Sequence, residues 1–175
     1  MKNFMLMRKI IAVLLLGSVL ISSCYKKDVN TSTCDYDACA FKAPESEITQ
    51  LETYLSGAGI TTAVKHCSGL YYEIISAGSG ATPTVCSYVS VNYKGSLTNG
   101  NVFDQTSGTP RAFGLVSLIE SWKKGIPLIK KAGKIRLYVP PSLGYGATDQ
   151  KDQNGNIIIP ANSILIFEIE LLDVQ

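Results

Sequence analysis

Three segments in the C-terminal part of the chain alternate apolar and polar residues with a period of two. No other feature constrains the fold as tightly. Leu165, Phe167, Ile169 and Leu171 oppose Ile166, Glu168 and Glu170; Val89, Val91 and Tyr93 alternate with Ser90, Asn92 and Lys94; Ile135, Leu137 and Val139 alternate with Lys134, Arg136 and Tyr138. A two-residue period sorts side chains onto opposite faces of a strand, so each segment predicts a half-buried strand. Thr98-Asn99-Gly100-Asn101 is a tight-turn signal leading into Val102-Phe103-Asp104. Between the strands, Ser117 to Lys124 reads as one short helix closed by Gly125. Antiparallel strands with a single helix predict an α+β domain in which the helix covers one face of a curved sheet.

The N-terminus reads as an address. Lys2, Arg8 and Lys9 precede an apolar run from Ile10 to Ile21, too short to span a bilayer comfortably. The run ends in Ile21-Ser22-Ser23-Cys24, which is similar to a bacterial lipobox. Residues 1–23 are therefore expected to be a lipoprotein signal peptide, with Cys24 lipidated as the first mature residue and anchored in a membrane by its acyl chains. The absence of aspartate directly after Cys24 points to an outer-membrane location in a cell envelope. A secretory signal with a chance cysteine is the alternative.

Hydrophobic residues make up 46% of the chain and charged residues 17%, a composition for a packed core rather than a disordered tail. Removing Lys2, Arg8 and Lys9 lowers 16 basic residues to 13 against 14 acids, a net charge of −1 in place of +2. No basic patch remains, which excludes nucleic acid as a partner class. Beyond Cys24, Cys34, Cys39, Cys67 and Cys86 form an even set, which in an exported protein predicts two disulfides. Three pairings are open, with at least one bridge expected to tie the segment near Cys34 and Cys39 to the main domain. No metal site is expected, since His66 is the only histidine.

Residues 24–42 are polar and aperiodic and read as a tether. Residues 43–65 form a helical extension: Pro44 suits a first helical position, Glu45 and Glu47 the first turn, and Gly57 a stop. Ile48, Leu51 and Leu55 share one helical face, which either packs on its own domain or dimerises the protein.

Several blocks then match a known family in order. They include Val91-Asn92-Tyr93-Lys94-Gly95, Val102-Phe103-Asp104, Leu118-Ile119-Glu120-Ser121-Trp122, Leu143-Gly144-Tyr145-Gly146-Ala147 and Ile159-Pro160-Ala161-Asn162-Ser163. From about Ser68 to Gln175 the chain closely resembles the FKBP-type peptidyl-prolyl cis/trans isomerases, and residues 66–175 are expected to form one such domain. The resemblance implies a curved five-stranded antiparallel sheet wrapped around one short helix, with a proline pocket between them. By position, Tyr93, Asp104 and Tyr145 would be catalytic. Phe103, Phe113, Leu118, Ile119, Trp122, Ile159 and Phe167 would bind substrate, with Trp122 as the floor. Tyr145 and the Ile119 backbone N–H would donate to a substrate carbonyl, and Asp104 would orient Tyr93. The implied substrates are proline-containing exported polypeptides, the implied inhibitors macrolides of the FK506 or rapamycin type, and no cofactor is implied.

The chain departs from the family pattern in places. Arg111 stands where many members carry an aromatic wall residue, which is expected to open or polarise one side of the pocket. Leu118 replaces valine, Val116 and Ser121 replace glycines, and the loop Asp149 to Asn156 is longer than in small members. Two other functions stay in view: a binding module or chaperone that holds chains without turnover, and an envelope scaffold engaged through the N-terminal helix. Taken alone, Trp122, Phe113 and Phe167 would read as core, Tyr93 as a strand aromatic, Asp104 as a turn residue and His66 as structural. Asp152, Asn154 and Gly155 resemble part of a calcium loop, but Gln150 and Ala161 stand where its first and last acids belong, so a plain turn is expected.

Overall fold

The alternating segments become the central strands of an antiparallel sheet. In the computed structural model, which describes residues 34–175, β1 spans Val64–Lys65, β2 Tyr71–Ser76, β3 Tyr88–Leu97, β4 Val102–Gln105, β5 Arg111–Gly114, β6 Lys134–Val139 and β9 Leu165–Val174. The order across the sheet is β1-β2-β6-β9-β3-β4, with β5 also on β3. β4 pairs with the end of β3 around Gly95, and β5 pairs with its beginning, from Tyr88 to Val91. The two therefore share one edge position, and the sheet has the five positions expected, plus the two-residue β1. β7 (Gln150–Lys151) and β8 (Ile157–Ile159) make a separate hairpin within the long loop. Its turn is an Asx turn: Asp152 Oδ1 accepts the backbone N–H groups of Asn154 and Asn156. The signal peptide expected over 1–23, Cys24 and the tether residues up to 33 lie outside the described residues.

The inner faces of β3, β6 and β9 bury Val89, Val91, Ile135, Leu137, Val139, Leu165 and Ile169 in one core. The helix crossing this face is shorter and later than the Ser117–Lys124 expectation. A 3₁₀ turn covers Leu115–Ser117, Leu118 and Ile119 are extended with ψ of 171° and 154°, and α2 runs Glu120–Gly125. Ile119 begins the helix by accepting the N–H groups of Trp122 and Lys123. Gly125 sets the approach of α2 to the sheet: a Cβ there would lie 2.6 Å from the Leu137 side chain.

The outer face carries charged side chains, with Arg136 bridging Glu73 at 3.2 Å and Glu168 at 3.1 Å. Tyr138 breaks this pattern. By alternation it faces outward among charges, yet it is 2% exposed, because α1 (Glu45–Gly57) lays Leu51 and Leu55 over it. Its hydroxyl donates to Glu73 Oε2 at 2.6 Å. Ile48, the first residue of the same helical face, enters the main core. The apolar stripe of α1 is thus used within its own chain, where each buried side chain contributes roughly 1.5–3 kcal/mol.

Residues 34–42, expected as the end of the tether, are fastened down. Cys34 is bonded to Cys86 and Cys39 to Cys67. Between them, Tyr36 donates to Glu120 Oε2 at 2.7 Å and accepts from Lys124 Nζ at 2.8 Å. The cysteines predict this fastening where polarity and lack of period do not: at least one bridge to the main domain is expected, and both bridges make it. Residues 34–42 thus form a strap across the far side of α2.

Candidate active site

Where the extended Leu118–Ile119 stretch and α2 face the sheet, a cavity of about 150 Å³ opens. Its walls come from six places: Tyr93 on β3, Phe103 and Asp104 on β4, Arg111 and Phe113 on β5, Leu118, Ile119 and Trp122 around the start of α2, Tyr145 in the loop after β6, and Phe167 on β9. Because β5 alternates, Arg111 and Phe113 point to the same side. Leu118 and Ile119, at the bend before α2, both line the cavity.

Trp122 is the floor, 5% exposed. Its ring meets Tyr93, Phe113 and Phe167 edge-on, with centroids 5.2, 5.9 and 5.5 Å away. Phe103 stands edge-on to Phe167 at 5.6 Å. Edge-to-face packing fixes ring positions without filling the space between them. Gly95 makes this possible, since a Cβ there would lie 2.6 Å from Phe103 and 2.9 Å from Phe167. The buried Trp122 Nε1–H has no hydrogen-bond partner among the described residues. A tryptophan serving only as packing normally pairs that group.

Polar groups gather at the mouth. Tyr93 donates its hydroxyl to Asp104 Oδ2 at 2.5 Å and receives Arg111 Nη1 at 3.3 Å. Burial first, then the Asp104 carboxylate, push the Tyr93 hydroxyl up to about 12. Burial, with Asp104 adding to it, also raises Tyr145, so its hydroxyl stays a proton donor at neutral pH. Among the described residues neither the Tyr145 hydroxyl nor the Ile119 backbone N–H donates a hydrogen bond. Two donors therefore flank an aromatic-walled hollow. The lining holds no serine, threonine, cysteine, lysine or histidine, and the arrangement suits shape, desolvation and hydrogen bonding to a carbonyl.

Nine of the ten residues expected at the site from sequence line this cavity. Ile159 does not. It is 3% exposed at the end of β8 and joins the core instead. Arg111 completes the lining, at the wall position where the sequence departs from the family pattern. His66 lies outside the cavity, its Nδ1 2.9 Å from Ser68 Oγ. Burial, with nearby Lys124 adding to it, lowers its pKa. Cys39, His66 and Cys67 cluster closely, but both cysteines are committed to their disulfide.

Comparison with known proteins bears on this arrangement. Residues 80–172 match the family described as FKBP-type peptidyl-prolyl cis-trans isomerase. The chain is 41% identical over 126 residues to the FKBP-type peptidyl-prolyl cis-trans isomerase FkpA of Escherichia coli K12, covering 71% of this chain and 43% of that protein. It thus spans less than half the length of that relative. The crystal structure of FkpA from Escherichia coli superposes with a TM-score of 0.62 at 39% identity, covering 75% of this chain and 59% of that one. A peptidyl-prolyl cis-trans isomerase from Pseudomonas syringae pv. tomato superposes at 0.63 with 30% identity, covering 77% of this chain and 98% of that one.

Proposed function

This chain belongs to the FKBP-type peptidyl-prolyl cis-trans isomerase family, and from that premise we propose that it isomerises X–Pro bonds in exported polypeptides within a bacterial envelope. The observation that carries this reading is the hollow floored by Trp122, walled by aromatic rings and flanked by the Tyr145 and Ile119 donors.

Amide resonance puts a barrier of about 18–20 kcal/mol on rotation of the peptide bond. The planar form is the more dipolar one, and twisting lowers its charge separation. A prolyl amide moved from water into the aromatic hollow loses solvation that favours the planar form, so the twisted form gains relative to it. Tyr145 and the Ile119 N–H hold the flanking carbonyl while the bond turns. Asp104 keeps Tyr93 pointed along the wall through their 2.5 Å hydrogen bond. Each tenfold of acceleration requires about 1.4 kcal/mol of stabilisation present only in the twisted state.

The leader-like residues 1–23 and the lipobox-like Ile21-Ser22-Ser23-Cys24 support export and membrane anchoring through lipid on Cys24. The bridges Cys34–Cys86 and Cys39–Cys67 suit an oxidising compartment. Macrolides of the rapamycin type would compete for the same hollow. The test is cis/trans exchange of a proline-containing peptide. The purified protein should accelerate it, with kcat/KM about tenfold lower in Tyr145→Phe and lower still in Trp122→Ala. Folded protein that leaves the exchange rate unchanged while protecting unfolded chains would instead be a binding module.

A further inference from the structure

The cavity is apolar at its floor and charged at its mouth. Trp122 is 5% exposed, whereas the side chains of Arg111 and Asp104 keep 55% and 48% of their surface in solvent. A prolyl ring gains most by burying itself against the floor, so the residues bonded to it must pass over the mouth. The neighbours of the proline therefore meet Arg111.

Both mouth charges have hydrogen-bonding capacity to spare, but only Arg111 has donors to offer. Asp104 Oδ2 already accepts the Tyr93 hydroxyl at 2.5 Å. Arg111 makes one long contact, from Nη1 to Tyr93 Oη at 3.3 Å, and lies 3.9 Å from Asp104, beyond hydrogen-bond distance. Among the described residues its Nη2 and Nε groups donate to nothing. A guanidinium presents a rigid fork of N–H donors shaped for a carboxylate, and no other cation lines the cavity. Asp104 does not stand in the way of a second carboxylate. The outer face of the same sheet shows one arginine serving two, where Arg136 holds Glu73 and Glu168 at 3.2 and 3.1 Å.

Resting on the prolyl reading of this hollow, we propose that Arg111 is a specificity-determining residue that selects prolyl peptides with aspartate or glutamate next to the proline. An apolar residue at position 111 would continue the aromatic wall and favour apolar neighbours. Arginine ends that wall in unpaired donors. Because the pair forms at a half-exposed mouth, its effect is modest and falls with salt.

The test compares kcat/KM for short peptides that differ only in the residue before, or only in the residue after, the proline: glutamate, glutamine, leucine or lysine. At one of the two positions the wild-type protein should favour glutamate over glutamine by about fivefold, and over lysine by more, with the ratio shrinking in high salt. Arg111→Leu should turn glutamate and glutamine peptides over alike, and Arg111→Lys should keep part of the preference. Equal rates for glutamate and glutamine at both positions in the wild type would overturn the inference while leaving the isomerase reading intact. So would a preference that survives in Arg111→Leu. Failure to turn over any of the peptides would overturn both.

Discussion

Helix α2 separates two regions that contain the same three kinds of group and use them oppositely. On the cavity side, Tyr93 donates to Asp104 while Arg111 donates to Tyr93. On the far side, Tyr36 donates to Glu120 while Lys124 donates to Tyr36 and pairs with Glu120 at 2.9 Å. The first set stands half in solvent. The second is shut: the Lys124 side chain is wholly buried, and its ammonium lies 5.0 Å from the centre of the Tyr36 ring. A tyrosine, a carboxylate and a cation thus make either a receptive rim or a rivet. What decides is whether a strap covers them. Two disulfides hold that strap in place.

Taking away the strap should do the most damage. The bridges close segments of 52 and 28 residues, and by loop entropy each contributes about 3–4 kcal/mol. Replacing Cys34 and Cys39 together by serine should lower the chemical-denaturation midpoint more than any change at the cavity mouth. Matched deletions of the two carboxylates come next. Glu120→Ala leaves the Lys124 charge buried without its partner and should cost about 3–5 kcal/mol, whereas Asp104→Ala should cost about 1 kcal/mol or less in stability while impairing turnover.

Acid should discriminate between the two sets as well. Burial raises the Glu120 pKa, but hydrogen bonds from Lys123, Lys124 and Tyr36 outweigh it and hold the carboxyl at about 2. A carboxyl depressed on folding adds stability that is complete above its unfolded pKa, near 4.5, and is lost as pH falls through the folded value. The stability gap between wild type and Glu120→Gln should therefore be widest above pH ~5, on the order of 2–3 kcal/mol, and should close toward pH ~2. The smallest effect belongs to the open side: Arg111→Leu should shift stability by about 0.5 kcal/mol or less, measured by thermal denaturation.

The strands were legible because their residues announce a period. The alternations around Tyr93, Leu137 and Phe167 gave three central strands, and Ile48, Leu51 and Leu55 gave the buried face of α1. Tyr138 was misplaced by the same rule, since a period assigns a face but cannot tell that a distant helix will cover it. The start of α2 lies later than the sequence suggests because Leu118 and Ile119, apolar residues that a helix would accept, are extended in the structure. At the site, aromatic residues could be placed by block resemblance alone. Ile159 shares a buried cluster with Trp122 and Phe167 but does not line the cavity, a distinction that block resemblance does not make. The rivet of Tyr36, Glu120 and Lys124 was invisible: its members are 84 and 88 residues apart in sequence, and four cysteines allow three pairings.

Trp122 is the only tryptophan in the chain, so its emission reports on the cavity floor without a label. Titrating the protein with a proline-containing peptide, and separately with the same peptide carrying alanine in place of proline, asks directly whether the prolyl ring displaces water from that indole. The prolyl peptide should give a saturable shift in Trp122 emission that a rapamycin-type macrolide reverses, and the alanine peptide should give none. Turnover of the prolyl peptide with emission unmoved at saturating peptide would place the chemistry elsewhere.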